Sequence, residues 1–310
     1  MQQRFNVPVS ARTAGSTVLA IVTLAALTAC GGGGDSTPAT VTSMTVAATK
    51  YGTPALVTIQ GTHLTNLTLQ SAGCKNFTRL TAAPTASSDT TAYYSCTPSA
   101  SYSSTIVAIS NGQTLNTQPF TVPAPIVTMT VSGGGVNGSI VFNLKGNVAP
   151  ITVDNFLAYV NAGFYNGTIM HRIVDQTNVL AGPEYDVVQG GSYGATTSGT
   201  LPTPKAGTLA PIAFETTGGT NVQYTAAMAR TSDLNSATSG FFFNVKNNTA
   251  AFDTSSGPGY AVFADISGSA AIITQISQIA APACTTLVGF NDGSCVPIPN
   301  VVVTTATQTQ

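Results

Sequence analysis

Short runs in which apolar and polar residues alternate recur along this chain, each closed by glycine, proline or asparagine, and that pattern commits it chiefly to β-sheet. Such runs occupy Thr42 to Ala47, Ala55 to Ile59, Leu67 to Leu69, Ala92 to Cys96 and Ser104 to Ile109. Turn formers separate them at Tyr51-Gly52-Thr53-Pro54, Gly61-Thr62, Ser110-Asn111-Gly112 and Gln118-Pro119. Several short strands so punctuated predict a small antiparallel sandwich over residues 41–123. Pro123-Ala124-Pro125 then breaks the pattern. Proline lacks an amide donor and restrains its predecessor, so no strand passes through and a domain boundary falls there. Beyond it, Ile126 to Val131 and Ser139 to Leu144 read as a hairpin around Gly133-Gly134-Gly135 and Asn137-Gly138. Val153, Phe156, Leu157 and Val160 share one face of a helix from Ala149 to Gly163, with Thr152 placed to cap it and Gly163 to end it.

Charge excludes one large class of function. Only 7% of the 310 residues are charged, 10 Lys and Arg against 11 Asp and Glu, for a net charge of -1. A nucleic-acid binder needs clustered cations to displace counterions from phosphates, and ten spread along the whole chain cannot form such a stripe. With 43% apolar residues there is ample material for buried cores.

The amino terminus reads as an export signal. Arg4 and Arg12 precede an apolar stretch from Val18 to Leu27, shorter than the roughly 20 residues that span a bilayer, so residues 1–29 are expected to be a signal peptide. Leu27-Thr28-Ala29-Cys30 resembles the bacterial lipobox, which implies a lipid on Cys30 and a glycine-rich tether over residues 30–40. By resemblance to Gram-negative lipoproteins, Gly31 in place of aspartate implies the outer membrane facing the periplasm rather than the inner membrane, with the cell surface as an alternative. Setting Cys30 aside leaves Cys74, Cys96, Cys284 and Cys295, two local pairs. Disulfides Cys74 to Cys96 and Cys284 to Cys295 are the simplest of three pairings. His63 and His171 lie far from these cysteines, so no metal is expected. His63 reads as an exposed loop residue.

The residues after the proline break carry a resemblance. Gly163-Phe164-Tyr165-Asn166-Gly167-Thr168-Ile169-Met170-His171-Arg172-Ile173 resembles the strand signature of the cyclophilin-type peptidyl-prolyl isomerases. In the family's order follow Val187 to Gly191, Pro211 to Glu215 as a strand, Ala227 to Val245, Gly259 to Ala264, Ile272 to Ile276 as a second helix, and Val301 to Ala306 as a closing strand. The likeness spans residues 126–307. It implies a mainly β fold, a closed eight-stranded barrel capped by two helices. The stretch Thr53 to Leu64 is similar to the opening of immunoglobulin-like modules of the IPT/TIG kind, which implies that the preceding sandwich is Ig-like.

The implied chemistry is rotation about Xaa-Pro amides, which needs neither metal nor cofactor. The partners implied are proline-containing polypeptides, with no nucleic acid, membrane contact only through the lipid, and a monomeric protein. The resemblance assigns the catalytic donor to Arg172, whose alternative reading is a buried ion-pair partner, and a supporting role to His171. It assigns substrate contacts to Gln189, Val187, Ala229, Arg230, Thr231, Phe242, Phe252 and Tyr260. Three departures stand out. About nine extra residues lie between Arg172 and Gln189, leaving Asp186 where an aromatic belongs, with Tyr185 or Leu180 available to replace it. Gly240 stands where a glutamine orients the arginine, and Ala251 where a bulkier residue precedes Phe252. These changes favour, as an alternative, a catalytically weakened module that grips proline-containing segments or a protein partner. A cell-surface recognition scaffold is the third reading.

Overall fold

In the computed structural model, which describes residues 37–99, 103–175, 185–215, 219–253, 259–280, 282–288 and 293–310, alternation carries directly into strand pairing. Seven strands precede the proline break: β1 (Thr40–Val46), β2 (Ala55–Thr62), β3 (Thr68–Gln70), β4 (Cys74–Arg79), β5 (Thr91–Pro98), β6 (Ser103–Ser110) and β7 (Gln113–Thr121). They form one sheet in the order β1-β2-β5-β4 and a second in the order β3-β6-β7. In β5 the cause is plain: Ala92, Tyr94 and Cys96 are buried while Thr91, Tyr93 and Ser95 between them are half-buried, because successive side chains leave opposite faces of a strand. Cys74 and Cys96 are disulfide-bonded and join the adjacent strands β4 and β5. The stretch from Val18 to Leu27, Cys30 and Leu180 lie outside the described residues. Among the described residues, no helix is long and apolar enough to cross a membrane.

After the break the chain builds a larger sheet. Its elements are β8 (Ile126–Gly133), β9 (Val136–Leu144), α1 (Pro150–Asn161), β10 (Met170–Asp175), β11 (Asp186–Gly190), β12 (Thr225–Met228), β13 (Phe241–Asn244), α2 (Thr249–Phe252), β14 (Val262–Asp265), α3 (Ala270–Ser277), β15 (Cys284–Thr286), β16 (Cys295–Pro297) and β17 (Val302–Gln308). Ten strands pair in the order β15-β16-β10-β11-β13-β12-β14-β9-β8-β17. The start of β10 also reaches β17: Ile169 bridges Val302, Met170 N–H donates to the Val301 carbonyl at 2.9 Å, and Val303 N–H donates to that of Thr168 at 2.7 Å. The β15–β16 hairpin lies at one end of that order. Its Cys284–Cys295 disulfide staples it, and it meets β10 where Cys295 pairs with Ile173.

The core lies between the sheet and the helices. Phe142, Phe156, Phe241, Phe243 and Phe263 are all fully buried, with Phe156 4.9 Å from Phe263 and 5.2 Å from Phe142 between ring centroids. Val153, Phe156, Leu157 and Val160 bury the predicted face of α1, and Ile272, Ile273 and Ile276 that of α3. Gly163, at φ 66°, ends α1 as the sequence predicts. The Phe164 N–H reaches the Tyr159 carbonyl at 3.0 Å and the two rings pack at 4.7 Å, a Schellman turn with its hydrophobic contact.

Three local expectations are corrected. Thr152 does not cap α1, because Pro150 occupies its first turn and the helix begins two residues earlier. The free amides of Ile151 and Thr152 donate instead to the Glu215 carboxylate at 3.0 and 2.7 Å, and the Thr152 hydroxyl donates to it at 2.6 Å. Pro211 to Glu215 is not a strand and makes one bridge, Ile212 to Ala237. Asn137-Gly138 lies within β9, since Gly134 and Gly135, both at positive φ, already complete the turn.

Candidate active site

The same alternation that fills the interior leaves a second row of side chains on the outer face. Ile173, Val188, Phe241, Phe243, Ala226, Met228 and Phe263 point inward to the main core. Their neighbours Arg172, Gln189, Phe242, Ala227 and Val262 are joined in register across β10, β11, β13, β12 and β14. Residues directly opposite one another on paired strands share a face. A smaller apolar cluster forms there from Val174, Val187, Ala227, Phe242 and Val262, with Tyr185, Ala229, Phe252 and Tyr260 packed against it. The register slips by one residue between Met170 and Arg172, a bulge at His171 that sets the direction of the arginine.

A groove of about 490 Å³ opens over this row. Arg172, Gln189, Val187, Ala229, Arg230, Thr231, Phe242, Phe252 and Tyr260, the nine residues to which the resemblance assigns catalysis or substrate contact, all line it. Phe242 forms the floor: its ring lies 5.3 Å from Phe252 and 5.2 Å from Tyr260, and those two are 5.0 Å apart. Tyr185 adds a fourth ring 4.9 Å from Phe252, so the inserted segment returns the aromatic that Asp186 displaces. Asp186 turns its carboxylate towards Lys246, 3.5 Å away.

Arg172 is held edge by edge. Its Nε donates to Ser294 Oγ at 2.9 Å, its Nη1 to Gln189 Oε1 at 2.9 Å, and its Nη2 to the Tyr185 hydroxyl at 3.4 Å. Ser294 enters from the segment just before β16. Gly240 leaves no gap beside them: a Cβ built there would lie 2.6 Å from Ser192 Oγ, so a serine hydroxyl already takes the space a larger residue would need.

Arg230 is the second cation of the groove. Its guanidinium lies between the rings of Tyr260, 4.7 Å away, and Phe214, 5.5 Å away, and donates to the carbonyls of Gly259 and Thr231. Stacking and carbonyl contacts fix it in place. Among the described residues, no Asp or Glu lines the groove.

His171 borders the groove but is 2% exposed, with its ring edge-on to Tyr193 at 4.7 Å. Burial pushes its pKa down to about 3, opposed by the Ile169 carbonyl and aided by the Arg172 guanidinium. It is a neutral packing residue at ordinary pH.

Sequence reasoning missed a buried amide network that fixes the Phe252 wall. Asn244 Nδ2 donates to Thr225 Oγ1 at 2.9 Å and Asn221 Oδ1 at 3.2 Å, and Asn248 Nδ2 donates to Asn244 Oδ1 at 2.9 Å. Asn221 in turn donates to Asp253 Oδ1 through both its backbone and side-chain amides. Asparagines inside and just after the apolar run Phe241 to Val245 were the available signal, since amides there survive only if partnered. Ser294 had no signal of its own. Among the described residues, no cluster of three or more His, Cys, Asp or Glu could hold a metal ion.

Residues 126–308 match the family model described as cyclophilin type peptidyl-prolyl cis-trans isomerase/CLD. The chain is 40% identical over 146 residues to peptidyl-prolyl cis-trans isomerase cyp18 of Streptomyces antibioticus, covering 46% of this chain and 79% of that protein. It is 37% identical over 154 residues to peptidyl-prolyl cis-trans isomerase A of Dickeya dadantii, covering 49% and 71%. Isomerase B of Escherichia coli is 34% identical over 148 residues, covering 46% and 81%. A solved cyclophilin-type isomerase of Cryptosporidium parvum superposes with a TM-score of 0.42 at 15% identity, over 60% of this chain and 98% of that one.

Proposed function

Because the chain belongs to the cyclophilin-type peptidyl-prolyl cis-trans isomerase family through residues 126–308, we propose that it catalyses rotation about Xaa-Pro bonds in the groove beside Arg172. The observation that carries this reading is the placement of a guanidinium held by Ser294, Gln189 and Tyr185 on the same outer row as the Phe242 floor. Rotation must break amide resonance, a barrier of about 18–20 kcal/mol. In the twisted transition state the prolyl nitrogen regains its lone pair, and a fixed donor aimed at it stabilises that state more than the planar ground state. Arg172 supplies the donor, and Phe242, Phe252, Tyr260 and Tyr185 grip the ring. Ala229, Arg230 and Thr231 lie along the groove where a peptide backbone pairs, with Gln189 and Val187 on its opposite wall.

The weakened-module alternative rested on Gly240, Asp186 and the insertion. It loses its footing, because Arg172 has other holders, Tyr185 restores an aromatic, and Asp186 turns towards Lys246. The test is prolyl exchange by NMR on an Ala-Ala-Pro-Phe peptide with the full chain and its Arg172→Ala variant. Acceleration lost in the variant supports the isomerase; no acceleration by the wild type overturns it.

Finer features belong to the same reading. We read β8–β14 and β17 as a closed eight-stranded barrel, supported by the Ile169–Val302 bridge. The order β1-β2-β5-β4 facing β3-β6-β7 supports an Ig-like module, since seven-strand Ig domains divide their first, second, fifth and fourth strands from the rest in this way. The amino-terminal sequence supports export, a lipid on Cys30 and attachment to the outer membrane, where a monomer would act on proline-containing segments of exported proteins.

A further inference from the structure

The β15–β16 hairpin packs Leu287 and Val296 into a small cluster of its own with Ile169, and it delivers one polar side chain to the catalytic arginine. Ser294 is 1% exposed and lies 122 residues from Arg172 in sequence, with its Oγ 2.9 Å from Arg172 Nε. Two features fix that hydroxyl. The backbone carbonyl of Ser294 accepts the Leu287 N–H at 2.8 Å, and the next residue, Cys295, is both disulfide-bonded to Cys284 and paired with Ile173, the neighbour of Arg172. The pairing of Cys295 with Ile173 sets how far Ser294 stands from the strand that carries the arginine, and the disulfide ties Cys295 to the other strand of its hairpin.

A guanidinium on a flexible stem has many rotamers, and only a few aim it at a prolyl nitrogen. Gln189 and Tyr185 contact its outer nitrogens, but both belong to the groove itself. Ser294 grips Nε from behind, at the nitrogen that fixes the roll of the guanidinium plane about its stem. Gly240, with its space filled by Ser192 Oγ, offers no side chain for that task.

We propose that Ser294 is a positioning residue for Arg172 and that the Cys284–Cys295 hairpin exists on this protein to hold it there. The proposal rests on the isomerase reading for its catalytic consequence and on geometry alone for the hold itself. Displacing a reacting group by about 1 Å can cost up to 10²-fold in rate, so loss of the hold on Nε should cost on the order of tenfold in kcat with little change in KM.

The test uses the full chain with Ser294→Ala, Ser294→Thr and the double variant Cys284→Ser/Cys295→Ser. Exchange of an Ala-Ala-Pro-Phe peptide at rising concentration separates kcat from KM. The Arg172 Nε–H resonance, assigned by its loss in Arg172→Lys, reports the hold directly. Expected are a roughly tenfold lower kcat in Ser294→Ala, a shifted and faster-exchanging Nε–H signal, recovery in Ser294→Thr, and the same spectral change in the double cysteine variant, which keeps Ser294. Wild-type kcat with an unchanged Nε–H signal in Ser294→Ala overturns the proposal, as does a rise in KM alone. If Ser294→Ala does not fold, an unchanged Nε–H signal in the double variant overturns the role of the hairpin. Should the wild type prove inactive, the isomerase reading fails and the Nε–H signal alone decides whether Ser294 holds the arginine.

Discussion

Tyr185 offers a sharp test of how the groove grips a proline ring. It stands in the inserted segment, its ring 4.9 Å from Phe252 and its hydroxyl 3.4 Å from Arg172 Nη2, and two substitutions separate these roles. In Tyr185→Ala the substrate loses about 40 Å² of apolar contact, worth ~1 kcal/mol at about 25 cal/mol per Å². Loss of the ring pair that steadies Phe252 adds about 0.5–1.5 kcal/mol. Together these predict a fall in kcat/KM of roughly 10- to 70-fold at about 1.4 kcal/mol per decade. Contact with the ring is made in ground and transition states alike, so most of the loss should appear as a raised KM. Tyr185→Phe removes the long hydrogen bond from Arg172, about 0.5 kcal/mol or twofold. Protease-free NMR exchange on Ala-Ala-Pro-Phe, with thermal midpoints as a control, measures both. Equal impairment in the two variants would show that the hydroxyl on Arg172 matters and the wall does not. Wild-type activity in Tyr185→Ala would refute the pocket argument altogether.

Other outcomes follow from the same geometry. Glu215→Ala should destabilise the protein by about 1–3 kcal/mol, because the buried Thr152 loses the partner of its amide and hydroxyl; urea unfolding that changes by less than about 0.5 kcal/mol would mean that water replaces the cap. His171 titrates at about 3 when folded, below its ordinary 6.5, so the unfolded chain takes up the proton first as pH falls. Its contribution to stability is full above about pH 6.5 and is lost between there and about pH 3, at up to ~1.4 kcal/mol per pH unit. Unfolding measured across that window, with the imidazole followed by NMR, checks this, and an imidazolium in the folded protein at pH 5 would contradict it. Cys30→Ser should release the expressed protein from membranes to the soluble fraction; continued sedimentation with membranes would count against a lipid on Cys30.

Much of this protein is written in neighbouring residues. Period-two alternation sets which side of β5, β10 or β13 faces a core, and the 3.6-residue spacing of Val153, Phe156, Leu157 and Val160 sets the buried face of α1. Both depend on side chains a few positions apart, so one chain suffices to read them. Local cysteine pairs at separations of 22 and 11 residues are legible for the same reason. The motifs also identify the residues that line the groove, because the alternation within each strand that buries Phe241 and Phe243 must turn Phe242 outward.

What holds those residues in position is decided by chain segments that meet only in three dimensions. Glu215 satisfies a helix 63 residues earlier, and Ser294 reaches Arg172 from 122 residues later. Tyr185 replaces a missing aromatic from inside an insertion, and Ser192 takes the space beside Gly240. A hydrogen bond needs its donor and acceptor within about 3 Å, and no local spacing in the sequence records which loop ends the closing of the sheet will bring that near. Alternation therefore determines which face each side chain takes, whereas the packing of distant segments decides how firmly Arg172 is held.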